Sequence, residues 1–269
     1  VTLPPKTLSY MSWAAQLQEL GKSMSGESTE SSFWADVATL SHRTAGIPTD
    51  LLSITEARAS RQLTSDACEV TISLDPKTTT QLLVDACSAF HGQINDVLVA
   101  AFAWALSEWC SSDVVAFSME GHGREDLFDN VDISRTVGWF TSLFPVCVDV
   151  GSDLESHARV SSVVKKVKEC LHAMPNHGVG YGILERFGDG VDVQVDGMHD
   201  VVFNYLGQID AGASGSGNDD GWVVRRSREA SGASIGDDVP RRHLVDVNGG
   251  VSGGCLSFGL GFSRLVHEE

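Results

Sequence analysis

The segment Glu120-Gly121-His122-Gly123-Arg124-Glu125 sets two carboxylates, an imidazole and a guanidinium within six residues, spaced by glycines. The apolar run Val114-Val115-Ala116-Phe117 precedes it. A buried strand that empties into a Gly-spaced polar turn is a common way to hold reactive groups at the rim of a cleft. The chemistry this suits is proton transfer. Partial desolvation at the strand end raises a carboxyl pKa toward a useful range, which makes Glu120 the first acid/base candidate. A plainer reading fits the same spacing, with Glu120 capping a turn or pairing with Arg124. Arg124 reads as an orienter holding Glu120 or Asp126 by an ion pair, and Glu125 as solvated. His122 reads as a hydrogen-bonded structural residue ahead of a base, and it stays among the substrate-binding candidates. Gly121 and Gly123 permit backbone angles that other residues resist.

Further groups stand along the chain. Tyr205, in Phe203-Asn204-Tyr205-Leu206-Gly207-Gln208, offers a phenol that can donate to an enolate or a carboxylate; it also fits an interface or core tyrosine. Asn204 could fix a backbone or a substrate carbonyl. Trp139 and Phe140 lie in Arg135-Thr136-Val137-Gly138-Trp139-Phe140-Thr141 and read equally as core or as channel lining. Gly178-Val179-Gly180-Tyr181-Gly182 lacks the Gly-x-Gly-x-x-Gly spacing and a preceding strand, so a tight turn packed near the cleft is preferred to a nucleotide loop. No His, Cys or Asp cluster has metal-ligand spacing. No Gly-x-Ser-x-Gly is present, against a serine hydrolase.

The elements that must carry these residues follow from periodicity. Residues 7–20 read as a helix with Leu8, Met11, Ala14, Ala15 and Leu17 inward. Ser23 to Ser32 reads as a loop, followed by anchors at Phe33, Trp34 and Leu40 and an irregular run to about Ser65. Cys68, Val70, Ile72 and Leu74 alternate with polar residues as a half-buried strand. Pro76 opens a helix to about His91. From Ile94 to Trp109 the i, i+3, i+4 spacing predicts a helix, with Asn95 as N-cap and Asp96 favoured by the helix dipole. Strands are expected over 114–120, around 146–150, over 201–206, 244–247 and 255–262. Ser152-Asp153-Leu154-Glu155 has capping-box spacing before a helix carrying Val160, Val163, Val164, Val167 and Leu171. Residues 210–221 and 228–238 are polar and small, as in solvent loops. Strands and helices alternating without a strict βαβ repeat predict an α/β two-layer sandwich with a mixed sheet.

Size and charge narrow the function classes. A chain of 269 residues, 42% of them apolar, can bury a real core in one or two domains. No apolar run approaches the ~20 residues of a membrane helix, and Val1-Thr2-Leu3-Pro4-Pro5 carries no signal-peptide pattern. A net charge of −17 argues against a nucleic-acid partner. The six cysteines form no Cys-x-x-Cys pair and read as buried thiols of a reducing, cytoplasmic compartment.

Taken in series, the blocks at 120–125, 135–141, 178–182 and 203–208 resemble the epimerization domain of nonribosomal peptide synthetases. The helix signature Asp96-Val97-Leu98-Val99-Ala100-Ala101 fits as well. The resemblance is specific over residues 66–208 and looser from Tyr10 to Gly261. It implies a chloramphenicol-acetyltransferase-like lobe over 66–269, with 1–65 as the segment connecting two lobes that form a V around the active site. The first Glu of the motif, here Glu120, is the family's catalytic carboxylate, and the tyrosine corresponding to Tyr205 lies in its active site. Arg124, Asn204, Trp139 and His122 are carried over as substrate-binding. No cofactor of the chain's own is implied. The substrate rides on the 4′-phosphopantetheine of a peptidyl carrier protein, whose arm Trp139 and Phe140 would line. The family's His-His-x-x-x-Asp-Gly motif has no match, since the sequence holds no His-His pair. The resemblance therefore implies a C-terminal lobe whose partners are an N-terminal lobe and neighbouring synthetase domains. Its rivals are a condensation domain, told apart by amide formation instead of α-deuterium exchange, and a lobe that only binds a carrier or a partner lobe.

Overall fold

A computed structural model describes residues 4–24, 28–151, 156–188, 193–208, 229 and 232–268. In chain order its elements are helices α1 (Tyr10–Ser23), α2 (Thr29–Ser41) and α3 (Ile54–Ala59), then strand β1 (Ala67–Ser73). Helix α4 (Pro76–Thr80) passes through a π-helical stretch, Gln81–Ala86, into α5 (Cys87–Ala89). Next come α6 (Ile94–Cys110), β2 (Val114–Gly121), β3 (Ser142–Asp149), α7 (Ser156–Ala173), a 3-10 turn (Pro175–Gly178) and α8 (Val179–Phe187). Strands β4 (Val201–Gln208), β5 (Val245–Ser252) and β6 (Cys255–Ser263) complete the chain. The expected α/β architecture with a mixed sheet is present. The chain divides into two compact units, residues 1–45 with 100–198, and residues 46–99 with 199–269. No helix among the described residues is long and apolar enough to cross a membrane.

In the first unit, β2 and β3 pair antiparallel with Glu120 opposite Leu143 and Gly121 opposite Ser142. Val114 to Met119 are buried without a break, so both faces of β2 are covered. Beside the strands, Trp34 of α2 is fully buried and meets Tyr181 of α8 edge-on, ring centroids 5.1 Å apart. The Trp34 indole donates to Glu30 Oε1 at 3.0 Å, and the Asn176 amide donates to Glu30 Oε2 at 2.9 Å. These donors compensate a carboxylate that is itself buried.

The second unit carries four strands in the order β1-β6-β5-β4. Val201 pairs parallel with Val245, while Val245–Phe262 and Ala67–Ser263 are antiparallel pairs. Phe203 stacks on Phe258 at 5.5 Å. Arg58 makes a bidentate pair with the buried Asp200 at 2.8 and 2.6 Å.

Several local expectations change. Helix α1 starts at Tyr10 because the Ser9 side chain caps it, and its buried side is Trp13, with Met11, Ala14 and Ala15 exposed. Trp13 sits between Phe128, Phe140 and Ile133, and that large surface outweighs the small alanines. Helix α2 begins at Thr29, inside the expected loop, because Ser28 caps it. Asn95 lies within α6; the buried Asp96 carboxylate accepts from Gln93 N–H at 2.7 Å and ties down the helix start. Strand β1 forms as expected, yet Val70 and Ile72 are 51% and 57% exposed. Gly178-Val179-Gly180-Tyr181-Gly182 is the opening of α8, not an isolated turn. Gly178 takes φ +85° with Phe144 where a Cβ would stand, and Gly180 lets Glu30 approach. Of the six cysteines, all free, Cys147 is buried and the other five are only partly so. The capping-box segment 152–155 and the expected loop over 210–221 lie outside the described residues, while residues 229 and 232–238 of the second expected loop are exposed and form neither helix nor strand.

His243 is buried in the second unit. Burial first, and then the positive charges of His199, Arg242 and Arg241, push its pKa down to about 4. The unfolded chain, with a His pKa of about 6.5, therefore binds the extra proton between those values. Stability is expected to fall as pH drops from about 6.5 toward 4. Urea unfolding across that range, with His243→Phe showing a shallower slope, is the check.

Candidate functional site

The sequence-selected residues fall in two groups. Glu120, His122, Arg124 and Trp139 belong to the first unit, and Asn204 and Tyr205 to the second.

Glu120 stands one residue before the end of β2 and is exposed, where the sequence suggested partial desolvation. Side chains alternate along a strand, so Glu120 lies on the face of Ser118, whose hydroxyl donates to the Met198 carbonyl at 2.6 Å. Gly121 turns the other way. A Cβ there would meet Ser142 Oγ at 2.8 Å and the Phe144 ring at 3.2 Å.

The polar turn then closes on itself. His122 Nδ1 accepts from the Arg124 backbone N–H at 3.0 Å, so the neutral ring carries its proton on Nε2. That Nε2 lies 3.3 Å from Glu125 Oε1. Gly123, at φ +66°, brings the backbone against the Phe140 carbonyl, where a Cβ would have no room.

Arg124 does not form the expected ion pair with Glu120 or Asp126. Its Nη1 donates to the Ile133 carbonyl at 2.7 Å and its Nη2 to the Thr136 carbonyl at 2.9 Å. The guanidinium also lies 3.9 Å from the Phe140 ring centroid. Loop carbonyls without a ladder partner need donors, and a planar fork over an aromatic ring supplies them. Arg124 is thus committed to shaping the 133–140 loop.

That loop separates its two aromatics. Phe140 is buried beside Trp13 and Ile133, so it belongs to the core. Trp139 is 79% exposed and Val137 94% exposed. The Tyr10 hydroxyl donates to the Trp139 carbonyl at 2.6 Å, and Gly138 leaves the space that the Tyr10 ring fills. Trp139 is therefore presented outward on an anchored backbone.

Glu125 corrects the sequence reading most. Its side chain is only 14% exposed, and Oε2 lies 2.8 Å from Nδ1 of His177. Two imidazoles flank a half-hidden carboxylate. Sequence reasoning passed over His177. Its one available signal was the Pro-Asn-His-Gly string, in which Asn and Gly both tolerate the left-handed region.

In the second unit, Asn204 and Tyr205 are half-buried and pair with Asn248 and Gly249 of β5. The register shifts between Tyr205 and Gln208, a bulge that bends the end of β4. Burial first, and then Cys87, push the Tyr205 pKa above the usual phenol range. The phenol therefore keeps its proton at neutral pH and can donate it in a hydrogen bond. A shallow open depression of about 470 Å³ is lined by Ala15, Gln16, Glu19, Leu20, Ser23 and Phe128, with none of the selected residues on its wall.

The family model described as Condensation domain matches residues 1–229. A linear gramicidin synthase of Brevibacillus parabrevis is 36% identical over 278 residues, covering 100% of this chain and 3% of that protein. Surfactin synthase subunit 1 of Bacillus subtilis (strain 168) is 33% identical over 271 residues, covering 99% of this chain and 7% of that protein. The chain thus spans under a tenth of the length of these two relatives. The crystal structure of the epimerization domain from the third module of tyrocidine synthetase B superposes with a TM-score of 0.75 at 29% identity. It covers 100% of this chain and 57% of that one.

Proposed function

The chain belongs to the condensation-domain family, and on that premise we propose that it is part of an epimerization domain of a nonribosomal peptide synthetase. In this reading residues 66–269 are its C-terminal lobe and residues 1–65 the segment leading into it. The observation that carries the reading is the placement of Glu120. It stands at the end of β2, before a turn whose His122, Arg124 and Glu125 side chains are held, within a chain that resembles a known epimerization domain along its whole length.

The reaction removes the α-proton of an L-aminoacyl or L-peptidyl thioester and returns a proton to the other face. A thioester makes that C–H more acidic than an amide does, but it remains a very weak acid. A base, a donor on the opposite face and a stabiliser of the enolate oxygen are all needed. Each acid or base is worth about 10²–10⁴-fold, and a donor aimed at the oxyanion roughly 10²–10³-fold. Glu120 serves one face. The opposite face is assigned to the family's His-His-x-x-x-Asp-Gly histidine, which these residues do not supply. Tyr205, kept protonated, donates to the developing oxyanion or to a carboxylate, and Asn204 fixes the substrate carbonyl. Trp139 borders the path of the 4′-phosphopantetheine arm, on which a peptidyl carrier protein delivers the substrate; the chain needs no cofactor of its own. Its other partners are an N-terminal lobe and the adjoining synthetase domains. Free cysteines suit a cytoplasmic setting.

A condensation activity is the second reading, favoured by the family model itself. The deciding experiment presents a loaded carrier protein to the complete domain in deuterated water. Deuterium at the α-carbon is the expected outcome. A new amide bond without α-exchange makes it a condensation domain, and neither outcome leaves a binding lobe.

A further inference from the structure

We propose that Glu125 is a positioning residue: its carboxylate clamps the turn that follows Glu120 to the left-handed turn that opens α8. The proposal rests on the reading of Glu120 as an acid/base. Both Glu125 oxygens are engaged, Oε1 toward His122 Nε2 and Oε2 toward His177 Nδ1. Its 14% exposure sets it apart from an ordinary surface pair, while the two rings stay open to solvent.

The far side of the clamp is strained. Asn176 and His177 take φ of +46° and +49°, and Gly178 follows at +85°. Two successive non-glycine residues in that region persist only where their surroundings over-determine them. Asn176 is tied to the buried Glu30, Gly178 fits against the Phe144 ring, and His177 is tied to Glu125. Phe144 is also the β3 residue opposite Met119 of β2. The His177 carbonyl lies 3.6 Å from where a Gly121 Cβ would stand. The strained turn therefore rests on the same strand end that bears Glu120. His177 itself lies on the Gly121 side of β2, and Glu120 on the other, so His177 acts through the backbone and not on substrate.

An error of about 1 Å in a reacting group can cost roughly 10²-fold in rate. In the complete synthetase module with loaded carrier, Glu125→Ala is expected to lower the α-exchange rate constant about 10- to 100-fold, with KM for the carrier changing far less. Glu125→Gln, which keeps one acceptor, should recover part of it. His177→Gly removes the ring but suits the left-handed backbone, so it separates positioning from folding. Exchange should fall while Tm holds or rises. Amide hydrogen exchange supplies a readout independent of turnover: protection should drop in Glu125→Ala at both 121–125 and 176–179. Wild-type α-exchange in the folded variants, or unchanged amide protection, overturns the clamp. Absence of α-exchange in the unmodified module overturns the epimerization reading instead, and amide protection then decides the clamp alone.

Discussion

Glu120→Gln in the complete domain is expected to reduce α-deuterium exchange by about 10²–10⁴-fold, because the amide can neither take nor return a proton. The substitution is nearly isosteric at an exposed strand end, so stability should change little. His122→Ala makes the contrast. Its ring is spent on the Arg124 N–H and on Glu125, and His177 still holds the second Glu125 oxygen. Much of the exchange should survive. Time courses of α-deuterium incorporation, read by mass spectrometry on the carrier-bound substrate, give both numbers. Comparable losses in the two variants would undo the assignment of the base to Glu120.

The second large effect concerns the chain by itself. Epimerization needs proton-transfer groups on both faces of the α-carbon, and these residues offer no counterpart to the His-His-x-x-x-Asp-Gly histidine. The purified 269-residue chain, mixed with a loaded carrier in deuterated water, is expected to leave the α-carbon unlabelled. One missing acid or base accounts for about 10²–10⁴ of rate. Labelling at a rate near that of a complete domain means the second proton-transfer group lies within these residues, and Tyr205 becomes the first to substitute.

The parts legible beforehand share one property: their pattern is local. Helix α6 announced itself through eight apolar positions at helical spacing, and β2 through an unbroken apolar run. What stayed hidden depends on partners distant in sequence. Glu125 looks solvated until His177, more than fifty residues on, folds over it. Arg124 looks like a partner for carboxylates because charge is visible in a sequence, whereas the two loop carbonyls it serves, at 133 and 136, are not. Alternation in β1 fixes which residues share a face, yet says nothing about whether that face is covered. The glycines at 178 and 180 read as a turn signal, although each serves a close approach, to Phe144 and to Glu30.

The pairing of β1 with β6 sets a timetable for biosynthesis. Ala67 finds its partner in Ser263, nearly two hundred residues later, so at ribosomal speeds of about 5–20 residues per second the first strand waits roughly 10–40 s. Throughout that interval Cys68, Val70 and Ile72 are an unpaired, aggregation-prone ribbon. Slow, cool expression or a chaperone that shelters the nascent strand should raise the yield of properly folded material.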